Sequence, residues 1–279
     1  MDGLILSSHT ASGATTFREL AEAAAAADIP AIALTYREYQ RFAGRGERNA
    51  DMVAAARANG VRVVDIEAVY AVLEADPRGR TAAYAERLFG LADLFASESI
   101  GIHSNVDPDI DVAADRLARF CDQAAAHGLV VGVEPVPVMG LRDLATAWQI
   151  MEQASRTNMG LVLDTWHFSR GAGTVDMILS LPGTAFKTVQ ISDGRLEPTP
   201  NLEYLEDTLT NRMLPGEGEF DLLGIIRALR QVGADVKWDM EICSSTLERL
   251  APKEAALRAA DATRNVLAAA SASGTGSAG

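Results

Sequence analysis

The feature that most constrains this chain is its rhythm, because short apolar runs alternate with longer helix-forming runs along nearly its whole length. Apolar stretches fall at 4–8, 31–35, 61–66, 99–103, 129–134, 160–164, 186–191 and 236–241. Helical patterns fall at 15–27, 48–58, 81–96, 111–126, 141–155, 175–181, 221–230 and 253–270. Residues 129–134 are almost continuously apolar, as expected of a parallel strand covered on both faces. Leu222, Ile225, Ile226 and Leu229 recur at spacings of three and four, the stripe of an amphipathic helix. Breakers stand where elements change, with Pro30 before an apolar run and Asn59-Gly60 after a helical one.

Alternation of this kind requires parallel strands joined by helical crossovers. About eight such units fill about 270 residues with no linker or shift of composition, which is the length of one barrel. The reading is a single (β/α)8 TIM barrel over residues 1–270, with an open doubly wound sheet as the competing arrangement. Residues 271–279, small and polar, read as a disordered tail. With 279 residues, 48% of them apolar, the chain can bury a sizeable core.

Charge and cysteine content narrow the class of function. A net charge of −13 opposes nucleic-acid binding, which needs clustered lysine and arginine to neutralise phosphates. It is compatible with a divalent cation and a small, weakly charged substrate. Cys121 and Cys243 are too few for a disulfide framework and read as reduced packing residues. Residues 1–6 lack a basic leader pattern, and no apolar run reaches the roughly 18 residues of a membrane span. The expectation is a cytoplasmic protein with neither membrane nor nucleic acid as partner.

The ends of the apolar runs carry the chemistry. Glu134, Asp164 and Glu241 each end one, and Gln190 stands near the end of another. In a barrel, such residues meet at the C-terminal face. Carboxylates converging without a cation would repel until one took up a proton. A hard divalent ion resolves the conflict, and oxygen-only ligation suits Mg²⁺ or Mn²⁺ more than Zn²⁺, with other divalent cations compatible. Taken singly, Asp164 reads as a helix N-cap and Gln190 as a core amide. Their joint occurrence on successive strand ends favours a metal site.

The connection 192–220 is long, charged and proline-containing, and a loop of that length in a compact domain is usually functional. Arg195 and Arg212 within it are candidates for holding a substrate anion, although each alone reads as solvated loop charge. His103 ends an apolar run and His9 follows another, both candidates for facing the pocket, whereas His127 reads as a capping or surface residue. His167 stands one helical turn after Asp164 and so lies on its side, or packs between Trp166 and Phe168. Gly216 and Gly218 in the 215–220 segment suggest a lid beside the pocket.

Five segments together resemble the sugar phosphate isomerase/epimerase family with a xylose isomerase-like barrel. They are Gly132-Val133-Glu134-Pro135, Leu163-Asp164-Thr165-Trp166-His167-Phe168, Val189-Gln190-Ile191-Ser192-Asp193, Leu214-Pro215-Gly216-Glu217-Gly218-Glu219-Phe220 and Asp239-Met240-Glu241. The resemblance runs in order along almost the whole chain. It implies a metal held by Glu134, Asp164, Gln190 and Glu241, with Glu134 and Glu241 as the acid–base pair. It also makes His167, His103, Trp166, Arg195 and Glu217 the substrate-binding candidates. Many members, ketose 3-epimerases included, have histidine where this chain has Gln190. Glutamine there is more similar to the hydroxypyruvate isomerase and inosose dehydratase branches.

The implied function is a divalent-metal-dependent isomerase or epimerase of a small sugar, keto-polyol or hydroxy-ketoacid, working by proton abstraction beside a carbonyl through an enediolate. The alternative is a dehydratase on the same site. A non-catalytic sugar-binding barrel is a further alternative. An apurinic endonuclease is disfavoured by the net charge and by a total of 4 histidines. Barrels of this kind often pair through their outer helices, so a homodimer or higher homo-oligomer is compatible.

Overall fold

The computed structural model describes residues 3–107 and 109–272. Eight strands run β1 (Leu4–Ser7), β2 (Ala31–Thr35), β3 (Arg62–Val69), β4 (Ser99–Ile102), β5 (Val130–Val133), β6 (Met159–Asp164), β7 (Phe186–Gln190) and β8 (Lys237–Met240). They pair in parallel in chain order, and β1 also pairs with β8 through Leu4–Trp238, Ile5–Asp239 and Leu6–Met240. That last pairing closes the sheet, so the chain is a (β/α)8 TIM barrel and not an open doubly wound sheet.

Helices form where capping and apolar spacing agree. Thr16 accepts a hydrogen bond from the backbone of Glu19, Asp143 from Thr146 and Asp221 from Gly224, each opening a helix that packs on the barrel. Helix Phe17–Ala26 lies against helix Pro252–Ala272, where Ala21, Ala24, Ala256 and Ala259 are fully buried. Three helices were not evident from apolar periodicity: Tyr36–Gly44, Thr165–Arg170 and Tyr204–Thr210. The first has a legible start, since Thr35 and Glu38 have the spacing of a capping box and Thr35 accepts from the Glu38 backbone.

Helix Pro252–Ala272 continues through Ser271 and Ala272, two residues into the stretch expected as a tail. The remainder of that stretch, 273–279, lies outside the described residues. Among the described residues, no helix is long and apolar enough to cross a membrane.

Two aspartates stitch the long connection after β7. Asp193 accepts from the backbone N–H groups of Gly194, Gly216 and Phe220, and its own backbone pairs with Met213 in both directions. Asp207 accepts from Thr199, Asn211 and Arg170. Gly218 lies so close to Asp193 that a Cβ there would fall 2.3 Å from a carboxylate oxygen. Gly218 therefore serves close packing, while Gly216 is required by a left-handed backbone with φ of 89°.

Candidate metal centre and active site

Register sets the site at one level. Asp164 of β6 pairs with Gln190 of β7, and Gln190 pairs with Asp239 of β8. Glu134 and Glu241 stand one residue beyond the ends of β5 and β8. His9, Glu67, His103, Glu134, His167, Arg212 and Glu241 line one cavity of about 360 Å³. A larger opening at the other end of the barrel gathers Arg62, Glu98 and Lys237, which pair among themselves, and holds none of the strand-end carboxylates.

Asp164 serves two purposes with its two oxygens. Oδ1 caps the helix that follows, accepting from the backbones of Trp166 at 2.7 Å and His167 at 3.1 Å. Oδ2 accepts from Nη1 of Arg212 at 2.7 Å and lies 3.9 Å from Nε2 of His167. The N-cap reading of Asp164 therefore holds, and its second oxygen faces Arg212 and His167.

Arg212 was expected to read, by itself, as a solvated loop charge. It is 4% exposed, and its Nη1 also lies 3.1 Å from Oε2 of Glu241. Its position follows from the stitched loop, where the Met213–Asp193 pairing holds the adjacent residue. Sequence gave no sign of this, because the residues that bury Arg212 come from distant strands.

His103 and His167 approach Glu134 from its two oxygens, Nε2 of His103 at 3.5 Å from Oε2 and Nε2 of His167 at 3.6 Å from Oε1. The Tyr204 hydroxyl lies 2.8 Å from Nδ1 of His167, and the rings stack. Tyr70 stacks on His103. Burial lowers both histidines to about 4, so they are neutral near pH 7.

Burial raises the proton affinity of each carboxyl, and the neighbouring charges decide where each one ends. Burial, reinforced by Glu241 and Asp164, pushes Glu134 well above the usual carboxylate range. Burial raises Glu241 to about 7 although Arg212 opposes it. For Asp164 burial acts upward too, but Arg212 and His167 overcome it and hold the group at about 2. Two carboxyls with separated proton affinities in one pocket form an acid–base arrangement.

The donor chemistry fits a divalent cation. Glu134, Asp164 and His167 offer ligand atoms within 4.8 Å of one another. Oε1 of Gln190 is buried and has no hydrogen-bond partner among the described residues. Arg212 contributes one positive charge to several carboxyls, which leaves charge for an ion to neutralise.

Three substrate-binding candidates do not reach this cavity. Trp166 is 1% exposed and packs edge-on against Phe220 under Arg170 and Arg212. Arg195 and Glu217 are exposed on the connection that Asp193 ties back, so their side chains lie outside the cavity lining. Sequence reading passed over Glu67, although it directly follows the 61–66 run, and Tyr204, which lies in a helix too short to announce itself.

The chain matches the xylose isomerase-like TIM barrel family over residues 21–266, and it belongs to that family. It is 30% identical to a 3-dehydroshikimate dehydratase of Pseudomonas aeruginosa over 194 residues, which cover 68% of this chain and 30% of that one. It is 26% identical over 157 residues to an inosose isomerase of Bacillus subtilis, covering 56% of this chain and 55% of the relative. The chain thus spans between under a third and about half of these relatives' lengths. In fold it is similar to the IolI protein with a bound zinc atom, with a TM-score of 0.85 and 18% identity across 96% of this chain and 98% of that one.

Proposed function

We propose that this protein is a divalent-metal-dependent isomerase or epimerase of a small sugar, keto-polyol or hydroxy-ketoacid. The observation that carries the reading is the meeting of Glu134 and Glu241 in the wall of one cavity, with Asp164 joined to Glu241 through Arg212 and Oε1 of Gln190 left without a partner among the described residues. Glu134, Asp164, Gln190 and Glu241 would hold the ion, and Mn²⁺ or Mg²⁺ suits their oxygen donors. When bound, such an ion supplies polarisation of a substrate carbonyl and its neighbouring hydroxyl.

The chain's own groups supply the proton transfers. Glu241, raised to about 7, is partly ionised at neutral pH and takes a proton from the carbon next to the carbonyl. Glu134 stands on the other wall, three strands away around the ring, and is placed to return a proton from that side. His103 and His167 stay neutral and flank Glu134, and the Tyr204 hydroxyl at Nδ1 fixes the ring of His167. Arg212 orients Asp164 and Glu241.

A dehydratase on the same site is the second reading. Arg37 lines the cavity and makes no ion pair among the described residues, which favours a substrate bearing a carboxylate. The dehydroshikimate dehydratase relative points the same way.

Deuterium uptake from D₂O, followed across ketoses, keto-inositols and 3-dehydroshikimate with added Mn²⁺, separates these readings. Uptake at the carbon beside the carbonyl with the skeleton retained supports isomerase or epimerase, and loss of water supports the dehydratase. No uptake on any substrate overturns both.

A further inference from the structure

Gln190 and Glu67 belong to strands four apart in an eight-stranded ring, β7 and β3, so they face each other across the barrel. Nε2 of Gln190 donates to Oε1 of Glu67 at 2.9 Å, spanning that interior. Gln190 is 2% exposed, and its other amide atom, Oε1, has no partner among the described residues.

An amide has two chemically opposite ends. One end is a carbonyl oxygen able to ligate a cation; the other is a pair of N–H donors that cannot. Turned by half a rotation, the Gln190 amide would lose its donation to Oε1 of Glu67 and aim its N–H groups into the site. The acceptor on Glu67 therefore decides which end is left free.

We propose that Glu67 is a positioning residue for the metal centre, which fixes the Gln190 amide with its carbonyl oxygen as the available ligand. The inference rests on the metal-dependent reading above. Groups that orient metal ligands commonly govern affinity by about 10- to 100-fold.

The test is Mn²⁺ binding to the full chain, read as free Mn²⁺ by electron paramagnetic resonance. Glu67→Leu, lacking an acceptor, is expected to weaken binding by about 10- to 100-fold. Glu67→Gln, which keeps an acceptor oxygen, is expected to stay near wild type. Glu67→Leu combined with Gln190→Ala should bind no more weakly than Gln190→Ala alone, since both changes remove one interaction. If Glu67→Leu does not fold by circular dichroism, Glu67→Met replaces it. Wild-type affinity in the acceptor-less variant, or losses that add in the double variant, overturns the proposal. Failure of the wild-type chain to take up Mn²⁺ overturns the metal reading along with it, and so the two failures are distinguishable.

Discussion

Nη1 of Arg212 donates to Oδ2 of Asp164 across 2.7 Å, joining residues 48 positions apart at the floor of the strand-end cavity. The same nitrogen reaches Glu241. Removing it leaves two buried carboxyls without their cation, a change that typically costs about 3–5 kcal/mol. Arg212→Met is therefore expected to lower stability in urea by that order without added metal. Mn²⁺ should recover much of the loss, because it replaces the missing charge. A variant as stable as wild type in the absence of metal would sink this account of the centre.

The titration of the centre sets a pH window. Glu134 and Glu241 have folded-state affinities raised above their unfolded values, so the stability they allow is full at low pH and lost as pH rises through about 7 and beyond. Glu67 and Asp239 act in the same direction. His9, His103 and His167 are lowered to about 4 from 6.5, so between those values they make stability rise with pH and oppose the carboxyls. Asp164, at about 2, matters only in stronger acid. Above pH 6.5 the carboxyls act unopposed. The melting temperature of the metal-free protein should fall from pH 6.5 to 8, and the gain on adding Mn²⁺ should grow over the same range. Differential scanning fluorimetry checks both slopes.

Glu241→Gln removes the group poised near neutrality while keeping its shape. Exchange of the substrate's carbon-bound proton with solvent should drop by roughly 10²–10⁴-fold. The fold should persist, with no loss of melting temperature at pH 8, because a buried carboxyl has been replaced by a neutral amide. An active variant would contradict the assignment of Glu241 as the base.

Gln190→His replaces an oxygen donor by nitrogen. The preference of the centre should shift from Mn²⁺ toward softer ions such as Zn²⁺. Competition titrations of the two metals measure this, and an unchanged ratio means that this side chain is not a ligand.

Asp193→Ala tests the stitched loop. It strips three backbone N–H groups of their acceptor, and each of the two buried ones, of Gly194 and Phe220, costs about 1–3 kcal/mol when unsatisfied. The variant should be destabilised and, because the Asp193–Met213 pairing seats the neighbour of Arg212, should also bind Mn²⁺ differently. Wild-type stability in urea would remove Asp193 from this role.

The barrel was legible from the chain because each local signal agreed with the next. Periodicity marks parallel strands and crossover helices, and the buried run before Glu134 is what a strand covered on both faces must look like. The strand-end residues Glu134, Asp164, Gln190 and Glu241 could be picked out for the same reason, since in a barrel the ends of apolar runs share one rim. The 204–210 helix escaped notice because it is about two turns long, too short for a period to repeat, and the 165–170 helix showed only through its cap at Asp164.

What the sequence determined by itself was the alternation of strands with helices and the strand ends on which the acidic groups stand, because both follow from near neighbours repeated along the chain, whereas closure came from the pairing of β1 with β8. Only the tertiary structure decided that Arg212 is buried between Asp164 and Glu241, that Glu67 meets Gln190 across the barrel, and that Arg195 and Glu217 face solvent. Those outcomes depend on contacts between residues dozens to more than a hundred positions apart. A charge carries no local mark of whether such a contact will take it out of water.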